Sequence, residues 1–81
     1  MITVELFTRE GCSLCEEAHV VLKRVRADHP FHLTITYIRP GEPLFDQYTE
    51  SVPVVHVNGS FHCKFKVDEK SFRSKLTSLT P

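Results

Sequence analysis

Apolar positions along the chain follow two different periods, and the switches between them divide it into elements. Ile2-Thr3-Val4-Glu5-Leu6-Phe7 alternates apolar and polar residues and is rich in strand formers, so it predicts a first strand. Thr8 to Gly11 is a short polar turn. From Leu14 the spacing becomes helical: Leu14, Ala18, Val21, Leu22 and Val25 form one apolar stripe. Glu16 and Glu17 fall in the first turn and Lys23, Arg24 and Arg26 towards the end, the charge order a helix macrodipole favours. His29-Pro30 closes the helix, because the residue before proline avoids the α region.

Phe31, Leu33, Ile35 and Tyr37 then alternate with His32, Thr34 and Thr36 as a second strand, followed by a Pro40-Gly41-Glu42-Pro43 loop. Leu44, Phe45 and Tyr48 fit a helix of about two turns. Val54-Val55-His56-Val57, after Val52-Pro53, predicts a third strand, and Phe61 to Val67 a fourth. Between them Asn58-Gly59 is a tight-hairpin signal, since a type I′ turn needs positive φ at both central residues. Asp68 is suited to N-cap a last helix whose inner face carries Phe72, Leu76 and Leu79. The order β-α-β-α-β-β-α predicts an α/β fold. The first crossover is parallel and right-handed and the hairpin antiparallel, giving a mixed four-stranded sheet covered by helices. No repeat, low-complexity tract or linker interrupts residues 1–81, which read as a single domain.

Composition narrows the function classes. Ten Lys/Arg against ten Asp/Glu leave no net charge, which argues against a broad surface for nucleic acid or anionic lipid. No apolar run approaches the roughly 20 residues of a membrane span, and Met1-Ile2-Thr3-Val4-Glu5 has no basic leader. Three cysteines are too few, and odd in number, for the disulfide framework of a secreted mini-protein. The expectation is a soluble, cytoplasmic monomer with thiols kept reduced unless they do chemistry.

Cys12-Ser13-Leu14-Cys15 sits where the first strand gives way to the first helix. Spacing of i, i+3 brings two thiols to one side of a helix, within reach of a disulfide. The leading cysteine lies at the helix N-terminus, where unpaired N–H groups and the dipole favour a thiolate, the species that attacks disulfides. Cys12 is therefore the expected nucleophile, and Cys15, sharing the stripe with Ala18 and Leu22, the buried second thiol. Arg9 is positioned to fold back and support a Cys12 thiolate; Glu10 and Glu16 oppose it.

Two other readings of the pair stand beside this one: inert core cysteines, or half of a zinc site. Zinc needs further ligands from Cys63, His19, His29, His32, His56 and His62, and no second Cys-x-x-Cys or His-x-x-x-His pair is present. His62 and Cys63, adjacent in a strand, are expected on opposite faces, with Cys63 sharing a face with Phe61 and Phe65. His19, between Glu16 and Lys23, reads as helix surface. Lys64, Lys66, Lys70, Arg73 and Lys75 form a basic cluster, either a solvated face or a dock for an acidic partner.

The segment from Leu6 to Ala18, with its Cys-x-Leu-Cys followed by acidic residues, resembles the glutaredoxin-like family of the thioredoxin superfamily. The likeness extends through Ser51-Val52-Pro53-Val54 and Val57-Asn58-Gly59 to Phe65, nearly the whole chain. It implies a thioredoxin/glutaredoxin-like fold with sheet order 2-1-3-4 and a cis peptide at Val52-Pro53 beside an active-site disulfide. It also implies thiol-disulfide oxidoreductase activity. Cys12 would attack and Cys15 resolve, while Arg9, Ser13, Leu14, Val52 and Pro53 contact a disulfide-containing protein or glutathione, Val52 through its backbone.

The sequence departs from ordinary glutaredoxins at two places. Ser13 and Leu14 stand where an aromatic residue is usual, and Cys63-Lys64-Phe65 where the family has Gly-Gly before Asp. No bound cofactor or metal is expected, with glutathione one candidate reductant or co-substrate. The competing functions are a redox-inert protein-binding module and a metal or iron–sulfur carrier using Cys12.

Overall fold

In a computed structural model, residues 2–79 of the expected 1–81 domain are described. The strands are β1 (Thr3–Thr8), β2 (His32–Tyr37), β3 (Val54–Val57) and β4 (Ser60–Lys64). The helices are α1 (Ser13–Asp28), α2 (Pro43–Tyr48) and α3 (Glu69–Leu79). The sheet order is β2-β1-β3-β4, with β1 and β2 parallel and the other pairs antiparallel. This is the expected thioredoxin-like arrangement.

Local chemistry sets the boundaries. Gly11, at φ +74°, takes the left-handed conformation that lets the chain turn from β1 into α1. The helix ends where the His29 N–H donates to the Val25 carbonyl at 2.8 Å, just ahead of Pro30. Asn58 and Gly59 both have positive φ, as the I′ hairpin requires, and Asn58 Oδ1 also accepts from the Thr3 N–H at 2.9 Å. Asp68 Oδ1 accepts from the Ser71 N–H at 3.2 Å at the start of α3.

Buried apolar residues form two clusters. The larger, against α1 and α3, contains Val4, Leu6, Ala18, Leu22, Val25, Phe31, Val55, Val57, Phe72 and Leu76, with the Phe31 and Phe72 rings edge to face at 5.8 Å. The smaller gathers Phe7, Cys15, Ile38, Val52 and Val54, with Cys12, Phe45 and Tyr48 packed against it. Alternation in β1 explains the division, since Val4 and Leu6 face the helices while Phe7 falls on the other side. Across the helix layer, Arg73 bridges Asp28 and Glu69, and Arg24 also binds Glu69.

Several sequence expectations are corrected. Leu14 is not part of the inward stripe; it is 44% exposed at the helix start. Leu79, at the end of α3, is likewise exposed. The fourth strand stops at Lys64: Phe65 adopts φ +69° and turns the chain towards α3. A bulge in β4 pairs Val55 with Cys63 but His56 with Phe61, leaving His62 as the extra residue.

The bulge overturns the expected faces. His62 rests on the Phe72 ring at 5.7 Å and Cys63 packs on the same larger cluster, so both lie on the helix side. Phe61 faces His56 on the opposite side, with 6.2 Å between ring centroids, and so does not share the face of Cys63. Burial and the nearby Lys75 lower the pKa of His62. Within the basic cluster, Arg73 is engaged by two carboxylates, while Lys64, Lys66, Lys70 and Lys75 are exposed.

Candidate active site

Cys12 and Cys15 are joined by a disulfide, with their Cα atoms 5.2 Å apart. Cys12 is the N-cap of α1: its backbone is extended, and its Sγ accepts from the Cys15 N–H at 3.2 Å. A sulfur in this position faces donors that a helix otherwise leaves unpaired, an arrangement that favours sulfur carrying negative charge. Exposure divides the pair. Cys12 is partly exposed, whereas Cys15 is only 3% exposed, held among Phe7, Ile38, Val52 and Val54. The first cysteine of the pair thus lies nearer solvent than the second. Ser13 and Leu14, between them, point outward on the first helical turn.

The Val52-Pro53 peptide is cis, and both residues are buried. Val52 packs in the same cluster as the two cysteines. Its N–H donates to the Tyr48 carbonyl at 3.0 Å, so it is committed to the end of α2. This limits the backbone pairing that the resemblance implies for Val52, since its carbonyl alone is without a hydrogen-bond partner among the described residues.

Arg9 departs from expectation too. Its Nε donates to the Thr49 carbonyl at 3.1 Å, so the guanidinium ties the β1–α1 loop to the end of α2 instead of folding over Cys12. The carbonyls at the end of a helix are unsatisfied acceptors, and they capture the side chain.

Three contributors escaped the sequence reading. Ile38, 3% exposed, walls in Cys15; it lies one residue beyond β2, outside the alternation that flagged its neighbours. Thr49 anchors Arg9 through a carbonyl, which no side-chain pattern reveals. Phe65 reaches the site through its backbone, where its N–H is shared between the carbonyls of Ser51 and Pro53 at 3.2 and 2.9 Å.

Cys63 stands apart on the helix side of the sheet, where burial pushes its thiol from 9.0 up to about 11. Among the described residues no three His, Cys, Asp or Glu side chains come together as a metal-ligand set. Among them, too, no helix is long and apolar enough to cross a membrane.

Comparison with known proteins agrees with this geometry. Residues 3–77 match the family described as glutaredoxin-like domain (DUF836). A curated glutaredoxin-like protein of Dictyostelium discoideum is 32% identical over 96% of this chain and 78% of its own length. The solution structure of protein Ne2328 from Nitrosomonas europaea superposes with a TM-score of 0.78 at 26% identity, covering 91% of this chain and 89% of that one. Oxidised thioredoxin from Plasmodium falciparum shares the fold, with a TM-score of 0.65 at 12% identity over 99% of this chain and 82% of that one. With its helix-capping cysteine pair and a 2-1-3-4 sheet of thioredoxin fold, the chain belongs to the glutaredoxin-like family.

Proposed function

We propose that the protein is a thiol-disulfide oxidoreductase using Cys12 as nucleophile and Cys15 as resolving thiol. The observation that carries this reading is the unequal pair: a partly exposed Cys12 at the helix N-cap, disulfide-bonded to a buried Cys15. In the reduced protein the Cys12 thiolate attacks one sulfur of a substrate disulfide. A Cys12–substrate bond forms, the substrate S–S bond breaks, and the second substrate sulfur leaves as a thiolate. Cys15 then loses its proton and attacks the Cys12 sulfur. This closes the Cys12–Cys15 bond and releases the first substrate sulfur. The cysteine pair has given two electrons to the substrate, and either two glutathione molecules or a partner dithiol returns them.

The supporting residues have distinct tasks in this scheme. The Cys15 N–H and the α1 N-terminus stabilise negative charge on Cys12 whenever it is the attacking or the departing sulfur. Phe7, Ile38, Val52 and Val54 keep Cys15 from external disulfides until a mixed disulfide has formed next to it. The Val52 carbonyl is an acceptor for a substrate backbone N–H, and the buried Pro53 fixes the direction of the chain beside it. Arg9 is a positioning residue, holding the loop ahead of Cys12 against α2.

The test is a redox titration. The protein is equilibrated in graded glutathione buffers, quenched with an alkylating reagent and weighed by mass spectrometry. A reversible Cys12–Cys15 disulfide with a midpoint between about −180 and −270 mV, the span from protein disulfide isomerase to thioredoxin, is expected. A pair that never exchanges refutes the catalytic reading and leaves a redox-inert binding module in its place.

A further inference from the structure

Before Cys15 can attack a mixed disulfide it has to lose a proton. The buried residues packed around it, Phe7, Ile38, Val52 and Val54, carry no group to take one. Cys15 also lines a small pocket of about 50 Å³ between α1 and the sheet. Leu6, Thr8, Ile35 and Tyr37 form its sheet side, and Glu16 and His19 complete its helix side. The strand register explains this gathering, because Leu6 pairs with Ile35 and Thr8 with Tyr37, and alternate residues share a face. A pocket of this size has room for one or two water molecules, at about 30 Å³ each.

His19 is not the fully solvated position that its neighbours Glu16 and Lys23 suggest; it is half-buried. It follows Cys15 by one helical turn, at i+4, a spacing that leaves Cβ atoms about 5–6 Å apart on one face. Helical side chains lean towards the N-terminus, so His19 overlies the turn that holds Cys15 and Glu16.

Resting on disulfide exchange by Cys12 and Cys15, we infer that His19 is the proton acceptor for Cys15 in the resolving step, directly or through one water in this pocket. The Cys15 S–H proton passes to an imidazole nitrogen, the Cys15 sulfur bonds to the Cys12 sulfur, and the bond from Cys12 to the substrate breaks. The substrate sulfur takes that electron pair away as a thiolate, and the imidazolium returns its proton to water. In the reverse direction an external thiolate attacks Cys12, and the imidazolium protonates the departing Cys15 thiolate.

Among the side-chain types lining the pocket, imidazole has the basicity suited to proton transfer near neutral pH. Carboxylates are weaker bases, and phenols keep their protons at that pH. Glu16, at i−3 from His19, stabilises the imidazolium as it forms, while the exposed Lys23 at i+4 opposes it. From the sheet only Tyr37 adds a titratable group, since β1 contributes Leu6 and Thr8.

The experiment mixes the reduced full chain with excess glutathione disulfide, quenches with acid at intervals and weighs the chain. The Cys12 adduct and the internal disulfide are thereby counted separately. In His19→Gln the adduct is expected to form at the native rate, while its conversion to the internal disulfide slows about a hundredfold, a usual effect of losing a general base. Glutamine keeps much of the bulk and hydrogen-bonding capacity of the ring, so packing alone does not produce this split. Imidazole added to His19→Ala restores conversion, a response that a merely structural role does not give.

Conversion at the native rate in His19→Gln, equal slowing of both steps, or a loss in His19→Ala that imidazole leaves unrestored overturns the inference. Slow conversion in Glu16→Gln but not in His19→Gln overturns it too, and assigns the proton to the carboxylate. In each of these cases the exchange chemistry stands, provided the native chain forms the adduct and closes its disulfide. If the native chain does neither, the exchange reading falls and the assignment of His19 with it.

Discussion

Replacing Cys15 with serine separates the two halves of the exchange. The first half needs only the Cys12 sulfur and its cap, and the cap donor is the backbone N–H of residue 15, which serine retains. The second half loses its nucleophile, so the mixed disulfide on Cys12 waits for a thiol from solution. In the native protein the two Cα atoms are 5.2 Å apart and the resolving sulfur is in place. Well-aligned intramolecular reactions reach effective molarities of about 10⁵–10⁸ M; even an effective ~10 M against ~1 mM external thiol lengthens the adduct lifetime about 10⁴-fold.

The assay mixes reduced protein with excess glutathione disulfide or peptide disulfide, quenches with acid and weighs the intact chain. Cys15→Ser accumulates one adduct, mapped to Cys12, while the native chain shows only the internal disulfide. Cys12→Ser forms no adduct at Cys15, which is 3% exposed. A serine hydroxyl beside Phe7, Ile38, Val52 and Val54 costs about 1–3 kcal/mol if unpaired. Cys15→Ala makes the same adduct prediction without that penalty. An adduct that decays as fast as in the native chain, or one that forms on Cys15 in Cys12→Ser, refutes the division of roles.

Other predictions follow from the packing and charge. Phe72 is fully buried between Phe31 and His62; Phe72→Ala is expected to cost about 3–5 kcal/mol and lower Tm by roughly 15 °C or more in calorimetry, and an unchanged Tm refutes its central place. Burial pushes the Cys63 thiol up to about 11, so in reduced protein at pH 7.5 iodoacetamide modifies it about a hundredfold more slowly than an ordinary cysteine, and reaction at the ordinary rate contradicts this. Hydrogen bonds from Arg24 and Arg73 hold the Glu69 carboxyl below its usual range. Its stabilising effect is therefore present above the unfolded pKa and lost as pH falls through the lower folded value. Urea midpoints of the native chain and Glu69→Gln should differ at pH 7 and converge in acid; a gap that persists in acid refutes the assignment.

The sequence carried those parts of the molecule whose causes are local. Alternation placed β1 and β2, the His29-Pro30 step ended α1, and Asn58-Gly59 formed the expected turn because the two residues themselves favour its φ angles. Cys12 and Cys15 were legible for the same reason, being one helical turn apart. What escaped depends on residues distant along the chain. Phe65 belongs to an alternating apolar run, but its N–H is captured by Ser51 and Pro53, and the strand ends there. Arg9 is drawn to the Thr49 carbonyl across 40 positions, and the β4 bulge that turns His62 towards Phe72 leaves no signature in side-chain polarity. Ile38 closes over Cys15 only once β2 is laid beside β1.

The partition of the interior has a consequence for how such a protein can change over time. The apolar interior falls into a large cluster that secures α1 and α3 and a small one around the Cys12–Cys15 disulfide, joined through α1. Residues such as Ile38 and Val54 can be exchanged to retune reactivity with little disturbance to Leu22, Phe72 or Leu76 in the large one. The scaffold and the surroundings of the disulfide are thus free to diversify largely separately.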